Sequence, residues 1–243
     1  MIILSVGMPR AGSGWHYNLI QDLVIASGGK NARDIRKDFH LENILTEVNC
    51  NISALTLRRL FSVLPASLAG NTFVLKAHSG ATAVSDLFIK LGWMKAVYIY
   101  RDPRDAMLSA MDFGKRTLDK GHPNAFSHLT DVDMTLDFIL KYCVIWESWV
   151  SRKSVLSARY EDLLNDYDNE TTKLTDFIHL EKRNKLINDV IEKYRPGQAR
   201  EGKDGLHFFK GQIGRFRERF SLEEQKRISD KLSKYLPKMG YDL

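Results

Sequence analysis

Three short stretches of this chain carry residues whose types and spacing can do chemistry on an anionic substrate. The first is Gly7-Met8-Pro9-Arg10-Ala11-Gly12-Ser13-Gly14-Trp15. Its glycines permit backbone conformations with positive φ and let a ligand approach the main chain. A helix beginning near Ser13 would aim its free N–H groups at that ligand, which favours a phosphate. The spacing Gly7-x4-Gly12 is that of a nucleotide-binding phosphate loop, but Ser13-Gly14 stands where Lys-Ser/Thr should follow. Without that lysine and metal-binding hydroxyl, ordinary ATP–magnesium chemistry fits poorly, and Arg10 would supply the positive charge. A Gly-rich turn with no ligand accounts for the same residues.

The second stretch is Phe73-Val74-Leu75-Lys76-Ala77-His78-Ser79-Gly80. Lys76 and His78 are two apart, so on an extended backbone they point the same way. A histidine here can serve as a general base, because its pKa lies near working pH. Seven histidines occur in the chain, and a surface or structural role is the competing reading. The third stretch, Val97-Tyr98-Ile99-Tyr100-Arg101-Asp102-Pro103-Arg104-Asp105, ends in Arg101 and opens a helix with Pro103 in its first turn. Arg101 offers a planar fork suited to phosphate. Ser109, two turns along that helix, adds a hydroxyl. A nucleoside triphosphatase would put a magnesium-binding aspartate at such a strand end. Here the strand ends run to Lys76, Arg101 and Arg159. Asp102 keeps a kinase reading open, and local capping and pairing of Arg101 and Asp102 is the plainer one.

These residues need elements to position them. Short apolar runs at Ile2–Val6, Thr72–Leu75, Ala96–Tyr100 and Val155–Ala158 read as strands. They are continuous rather than alternating, the pattern of strands buried on both faces in a parallel sheet. Helical stretches lie between them: Trp15–Ala26, Ala54–Leu64, Thr82–Leu91, Arg104–Phe113, Leu136–Trp149 and Asn169–Ile178. Alternation of this kind predicts an α/β fold, helices on both sides of a central parallel sheet. Ligands of such sheets bind beyond the carboxyl ends of the strands, where all three stretches fall. No repeat or linker divides the chain, so residues 1–243 are expected to form a single domain.

Composition bounds the function classes. The chain has 243 residues, 44% hydrophobic and 27% charged, which is ordinary globular usage. No apolar run approaches the ~20 residues that span a bilayer. The apolar start, Met1 to Gly7, is too short for a signal segment and reads as the first strand. Cys50 and Cys143 cannot make a disulfide framework and are expected to be small buried side chains in a reducing, cytoplasmic setting. A net charge of +6 is too mild to argue for nucleic-acid binding, but suits a ligand with several negative charges.

Taken together, the stretches resemble the sulfotransferases that use 3′-phosphoadenosine 5′-phosphosulfate. The family's 5′-phosphosulfate loop typically reads Tyr/Phe-Pro-Lys-Ser-Gly-Thr-Thr-Trp, against Met8-Pro9-Arg10-Ala11-Gly12-Ser13-Gly14-Trp15 here. Its 3′-phosphate element, an Arg with a Pro two on and a Ser eight on, is matched by Arg101, Pro103 and Ser109. Lys76-Ala77-His78 is similar to its catalytic strand end, and Tyr160-Glu161-Asp162-Leu163 to a segment after a later strand. Lys210-Gly211, Gly214, Phe216 and a helix from Ser221 look like its C-terminal element. The resemblance implies a three-layer α/β/α fold like that of the phosphate-loop nucleoside triphosphate hydrolases. It implies in-line transfer of a sulfuryl group to an acceptor hydroxyl or amine, with no metal required and 3′,5′-diphosphoadenosine as product. Arg10, Ala11, Gly12, Ser13, Gly14 and Trp15 would hold the 5′-phosphosulfate. Arg101, Ser109, Lys210 and Gly211 would hold the 3′-phosphate. Tyr160 would contact adenine, Trp15 would stack on it or pack in the core, His78 would take the acceptor's proton, and Arg10 and Lys76 would stabilise the leaving oxygen.

Three departures stand out. Arg10 replaces the usual lysine, Gly14 a phosphate-binding threonine, and Phe209 an arginine that often precedes Lys-Gly. Arg215 or Arg217 would compensate for the last. Residues 28–70 and 114–135 are the least periodic and are the expected acceptor loops. They carry Lys30, Arg33, Arg36 and Lys37, then Lys115, Arg116, Lys120, His122 and His128. Such runs are usually solvated faces. Lys203 to Arg219 mixes basic and aromatic residues, for which a lid over the donor is more economical than nucleic-acid binding. The acceptor is left as a small molecule or saccharide, and the oligomeric state is not readable. The rivals are a phosphate-loop kinase and a nucleotide-binding protein without chemistry.

Overall fold

The computed structural model describes residues 1–181, 184–197 and 212–243. Lys210, Gly211 and Phe209, named above, lie outside them. The elements, in order, are β1 (Ile2–Gly7), α1 (Ser13–Ala26), α2 (Ala32–Asp38), α3 (Leu57–Leu68), β2 (Phe73–Ala77), α4 (Ala83–Lys90), β3 (Met94–Tyr100) and α5 (Pro103–Asp119). Then come α6 (Val132–Val150), β4 (Val155–Arg159), α7 (Tyr160–Asn165), α8 (Tyr167–Phe177), α9 (Lys185–Tyr194), α10 (Phe216–Arg219), α11 (Leu222–Leu232) and α12 (Leu236–Met239).

The four strands form one parallel sheet in the order β2-β1-β3-β4. β1 has a neighbour on each side and every residue of it is buried, which is why its sequence is a continuous apolar run. β4 is an edge, and most of its residues keep some exposure. Side chains alternate between faces. Ile3, Val74, Val97 and Ile99 pack against Leu19, Ile20 and Leu23 of α1, with Leu174 and Ile187 beyond. Leu4, Val6, Leu75, Ala96 and Tyr98 face the other way, against Leu60 and Val63 of α3, Cys143 and Trp146 of α6, and Ile228 of α11. Two apolar cores thus sandwich the sheet between helical layers. The chain leaves β1 for β2 on one side, then crosses to β3 on the other. That reversal opens a crevice at the carboxyl end of β1.

Several boundaries differ from the sequence expectation. The helix expected at Arg104–Phe113 continues to Asp119, straight through Gly114. This glycine is no helix stop: a Cβ there would lie 2.2 Å from the Phe126 carbonyl oxygen, so Gly114 admits the crossing loop. The helix expected at Ala54–Leu64 is Leu57–Leu68, capped by Thr56 and carrying Pro65 inside it. The stretch 28–70 is therefore not all loop, since it holds α2 and the whole of α3. Cys50 and Cys143 are free and buried. No helix among the described residues is long and apolar enough to cross a membrane.

Candidate active site

The loop after β1 is bent by necessity. A Cβ on Gly7 would come within 2.7 Å of Ile99 Cγ2 and 2.8 Å of Ser13 Cβ, so only glycine lets the strand, its neighbour and the helix start converge. Met8 N–H donates to the Ile99 carbonyl, prolonging the β1–β3 ladder into the loop. Arg10 and Gly12 both take left-handed backbones, at φ 66° and 77°. Ala11 between them is fully buried and has only a methyl side chain, leaving main-chain polar groups to offer a ligand. Gly12 caps α1 with no side-chain hydrogen bond. The amides of Ser13, Gly14 and Trp15 have no acceptor within the helix, and they sit at its positive end. A Cβ on Gly12 would also lie 2.6 Å from the Tyr160 ring. Gly12→Ala is therefore expected to lower the thermal midpoint, with about 1–2 kcal/mol lost to the left-handed backbone alone. An unchanged midpoint would contradict this geometry.

At the end of β2, Lys76 pairs in register with Ser5, and His78 follows the strand. His78 Nδ1 lies 2.6 Å from the Gly7 carbonyl oxygen. A carbonyl can only accept, so Nδ1 carries the hydrogen and Nε2 keeps its lone pair. The tautomer thereby leaves Nε2 as the ring's accepting nitrogen.

At the end of β3, Arg101 is buried with its guanidinium over the Tyr160 ring, 4.7 Å from the centroid. Its Nη2 donates to the Gln212 carbonyl at 2.6 Å and pairs with Asp105 at 3.2 Å, while its Nε is buried without a partner among the described residues. Ser109 accepts from Arg10 Nε at 3.3 Å. Arg10 itself lies over Phe113, 4.3 Å from the ring centroid. Asp102 pairs with Arg104 at 2.9 Å.

Electrostatics joins these groups. Burial, then Arg116 and Arg101, lower Arg10 to about 10. Burial, then Arg10, lowers Lys76 to about 8. Burial, then Lys76, lowers His78 to about 4, against the opposing pull of the Gly7 carbonyl. Each shift destabilises a cation chiefly because it is buried and further because another cation is near, and an anionic ligand would offset that repulsion. His78 is neutral at pH 7 and Lys76 is still mostly charged. Activity that needs both should rise as pH climbs through about 4 and fall as it climbs through about 8. In the substrate complex both limbs should move upward, because bound anions favour the protonated forms. A pH profile of kcat/KM beside that of kcat checks this; limbs that stay put or move down would contradict it.

Other expected residues find different surroundings. Trp15 is 4% exposed, donates from Nε1 to the Tyr194 carbonyl at 3.1 Å and stacks on Tyr167 at 6.2 Å. Its packing role is thus visible in the fold. Arg33 and Arg36 donate to the carbonyls of Val48 and Leu45, tethering the loop after α2. Lys115, Lys120, His122 and His128 are exposed. Arg215 is held by Asp112 at 2.8 Å. Among the described residues no cluster of three or more histidine, cysteine, aspartate or glutamate side chains could hold a metal. Sequence reading missed Asp105, Glu161 and Phe113. Asp105 carried a signal, an i,i+4 pairing with Arg101. Glu161 carried none, for its partners, the Asp102 amide and the Tyr241 hydroxyl, are far away in sequence.

A parallel α/β sheet with a glycine loop and a helix start at its switch point, and with Arg10, Lys76 and Arg101 beside them, defines a phosphate-loop-like fold. The sulfotransferase domain signature matches residues 2–240, and the chain belongs to the sulfotransferase family. It is similar to Sulfotransferase 6B1 of Danio rerio, at 21% identity over 262 residues, 99% of this chain and 82% of that one. Among solved structures it resembles mouse sulfotransferase SULT7A1 complexed with PAP (TM-score 0.62, 15% identity, 97% of this chain and 83% of that chain). It also resembles retinol dehydratase in complex with androsterone and inactive cofactor PAP (TM-score 0.60, 18% identity, 100% and 82%).

Proposed function

We propose that this chain moves a sulfuryl group from 3′-phosphoadenosine 5′-phosphosulfate to a hydroxyl or amine of a small-molecule or saccharide acceptor. The observation that carries the reading is the run of mutually repelling cations Arg101, Arg10 and Lys76 across three strand ends, beside the start of α1, whose Gly12 cap has no side chain to offer. A nucleotide with one anionic group is too small a match for it. The 5′-phosphosulfate would lie on the main chain of Ala11 to Trp15, with Ser13 adding its hydroxyl. The 3′-phosphate would lie against Arg101 and Ser109, joined by Lys210 and Gly211, and Tyr160 would meet the adenine.

His78 Nε2 takes the proton from the acceptor as its oxygen or nitrogen attacks sulfur. The bond between sulfur and the bridging oxygen breaks, and its electron pair leaves with 3′,5′-diphosphoadenosine. Arg10 and Lys76 stabilise that negative charge electrostatically, the main contribution in transfers of this type. Arg10 keeps its proton at neutral pH, whereas Lys76, lowered to about 8, can also give one up. The relatives' bound PAP and androsterone support a nucleotide of this kind and a small acceptor.

The test follows labelled sulfur from the donor into a panel of phenols, alcohols, sugars and amines, with 3′,5′-diphosphoadenosine measured in step. Transfer without added metal is expected. Magnesium-dependent transfer of the γ-phosphate of ATP, with no movement of sulfur, would replace this reading by the kinase one.

A further inference from the structure

A carboxylate is out of place in a pocket built for anions, yet Asp105 sits beside Arg101 with a side chain 0% exposed. Both its oxygens are occupied. Oδ2 accepts from Arg101 Nη2 at 3.2 Å and from the Gly214 N–H at 2.7 Å, and Oδ1 accepts from the Phe216 N–H at 3.1 Å. Arg101 Nη2 in turn donates to the Gln212 carbonyl, and Asp112 on the same helix holds Arg215. One buried side chain therefore ties the tip of β3, the first turn of α5 and residues 212–216 into one unit. Within that unit the Arg101 guanidinium is fixed on Tyr160 and one of its donors, Nε, is left over.

We infer that Asp105 is a positioning residue for the donor's 3′-phosphate: it holds Arg101 and the 212–216 segment in register, so that the remaining guanidinium donors meet that group. The inference rests on the donor reading above. Charge and position predict opposite signs here. Removing a negative charge from an anion pocket should tighten anion binding if charge alone matters. Removing an acceptor that three donors share should loosen it if position matters.

Binding of 3′,5′-diphosphoadenosine and of 5′-AMP is measured calorimetrically on the parent and on Asp105→Asn, which keeps the shape. The variant is expected to bind the 3′,5′-diphosphate about tenfold to a hundredfold more weakly, with 5′-AMP within about twofold, as its phosphate contacts lie in the other loop and its adenine contact in the proposed pose, Tyr160, is not a hydrogen-bond partner of Asp105. Hydrogen exchange at the Gly214 and Phe216 amides should speed up in the same variant. Equal or tighter binding of the diphosphate overturns the inference, as does an equal loss for both nucleotides, the mark of general loosening. Should Asp105→Asn not fold, Asp105→Glu keeps the charge and displaces it by one methylene; the selectivity ratio should fall, and an unchanged ratio overturns the inference. A parent that binds both nucleotides alike removes the donor reading and this inference together. A parent that discriminates, with a variant that discriminates equally, removes the inference alone.

Discussion

A His78→Ala enzyme is expected to turn over about 10²–10⁴ times more slowly than the parent, the usual scale for losing a general base, while binding 3′,5′-diphosphoadenosine as before. The expectation follows from the bond between Nδ1 and the Gly7 carbonyl, which leaves Nε2 as the ring's only acceptor. The same bond anchors the ring, which follows β2, to the residue that opens the loop after β1, so the proposed base and donor site are joined across neighbouring strand ends. The low pKa, about 4, keeps the ring neutral and ready at pH 7. In the proposed mechanism it also makes the ring a weak base until a bound anion raises it, which would couple proton abstraction to donor occupancy. His78→Asn should be as slow as alanine, because an amide can mimic the hydrogen bond but cannot take the proton. Rapid single-turnover chemistry in either variant would remove His78 from the mechanism.

Arg101→Ala should weaken binding of 3′,5′-diphosphoadenosine by about 2–5 kcal/mol, the range for truncating one partner of a buried, hydrogen-bonded charge pair. Binding of 5′-AMP should change far less. Part of the loss comes from Asp105, which would be left buried without its cation. Arg101→Lys separates the two contributions: it retains a charge for Asp105 but not the planar fork that can also rest on Tyr160. The lysine variant is expected to recover stability more than nucleotide selectivity. Competition binding with both nucleotides reads this directly. Equal losses for 3′,5′-diphosphoadenosine and 5′-AMP would mean that Arg101 does not read the 3′-phosphate.

Much of the scaffold was legible because burial on both faces writes a simple code. Ile2, Ile3, Leu4 and Val6 could only be a covered strand, and Arg101 then had to stand at a strand tip with a helix behind it. Local signals placed Lys76 and His78 side by side, for the same reason of period two. Contacts between distant segments were not legible. The Gly7 carbonyl that sets the His78 tautomer is 71 residues away from it. The helix expected at Arg104–Phe113 runs on through Gly114, a residue disfavoured in helices by propensity, and the reason for a glycine there, the Phe126 backbone beside it, is distant in sequence. The basic run of residues 28–70 offered an acceptor surface on composition, but Arg33 and Arg36 are used to hold carbonyls of their own loop. Asp105 shows the limit most clearly. Its pairing with Arg101 is a local pattern, while its two backbone partners come from the far end of the chain.

Thermal unfolding with saturating nucleotide, in the absence of metal and again with magnesium, tests the donor claim most directly. At about a hundred times its dissociation constant, 3′,5′-diphosphoadenosine should stabilise the fold by roughly 2.7 kcal/mol without metal, and ATP with magnesium should leave the midpoint where it was. A midpoint raised by ATP and magnesium but untouched by the 3′,5′-diphosphate would contradict the account.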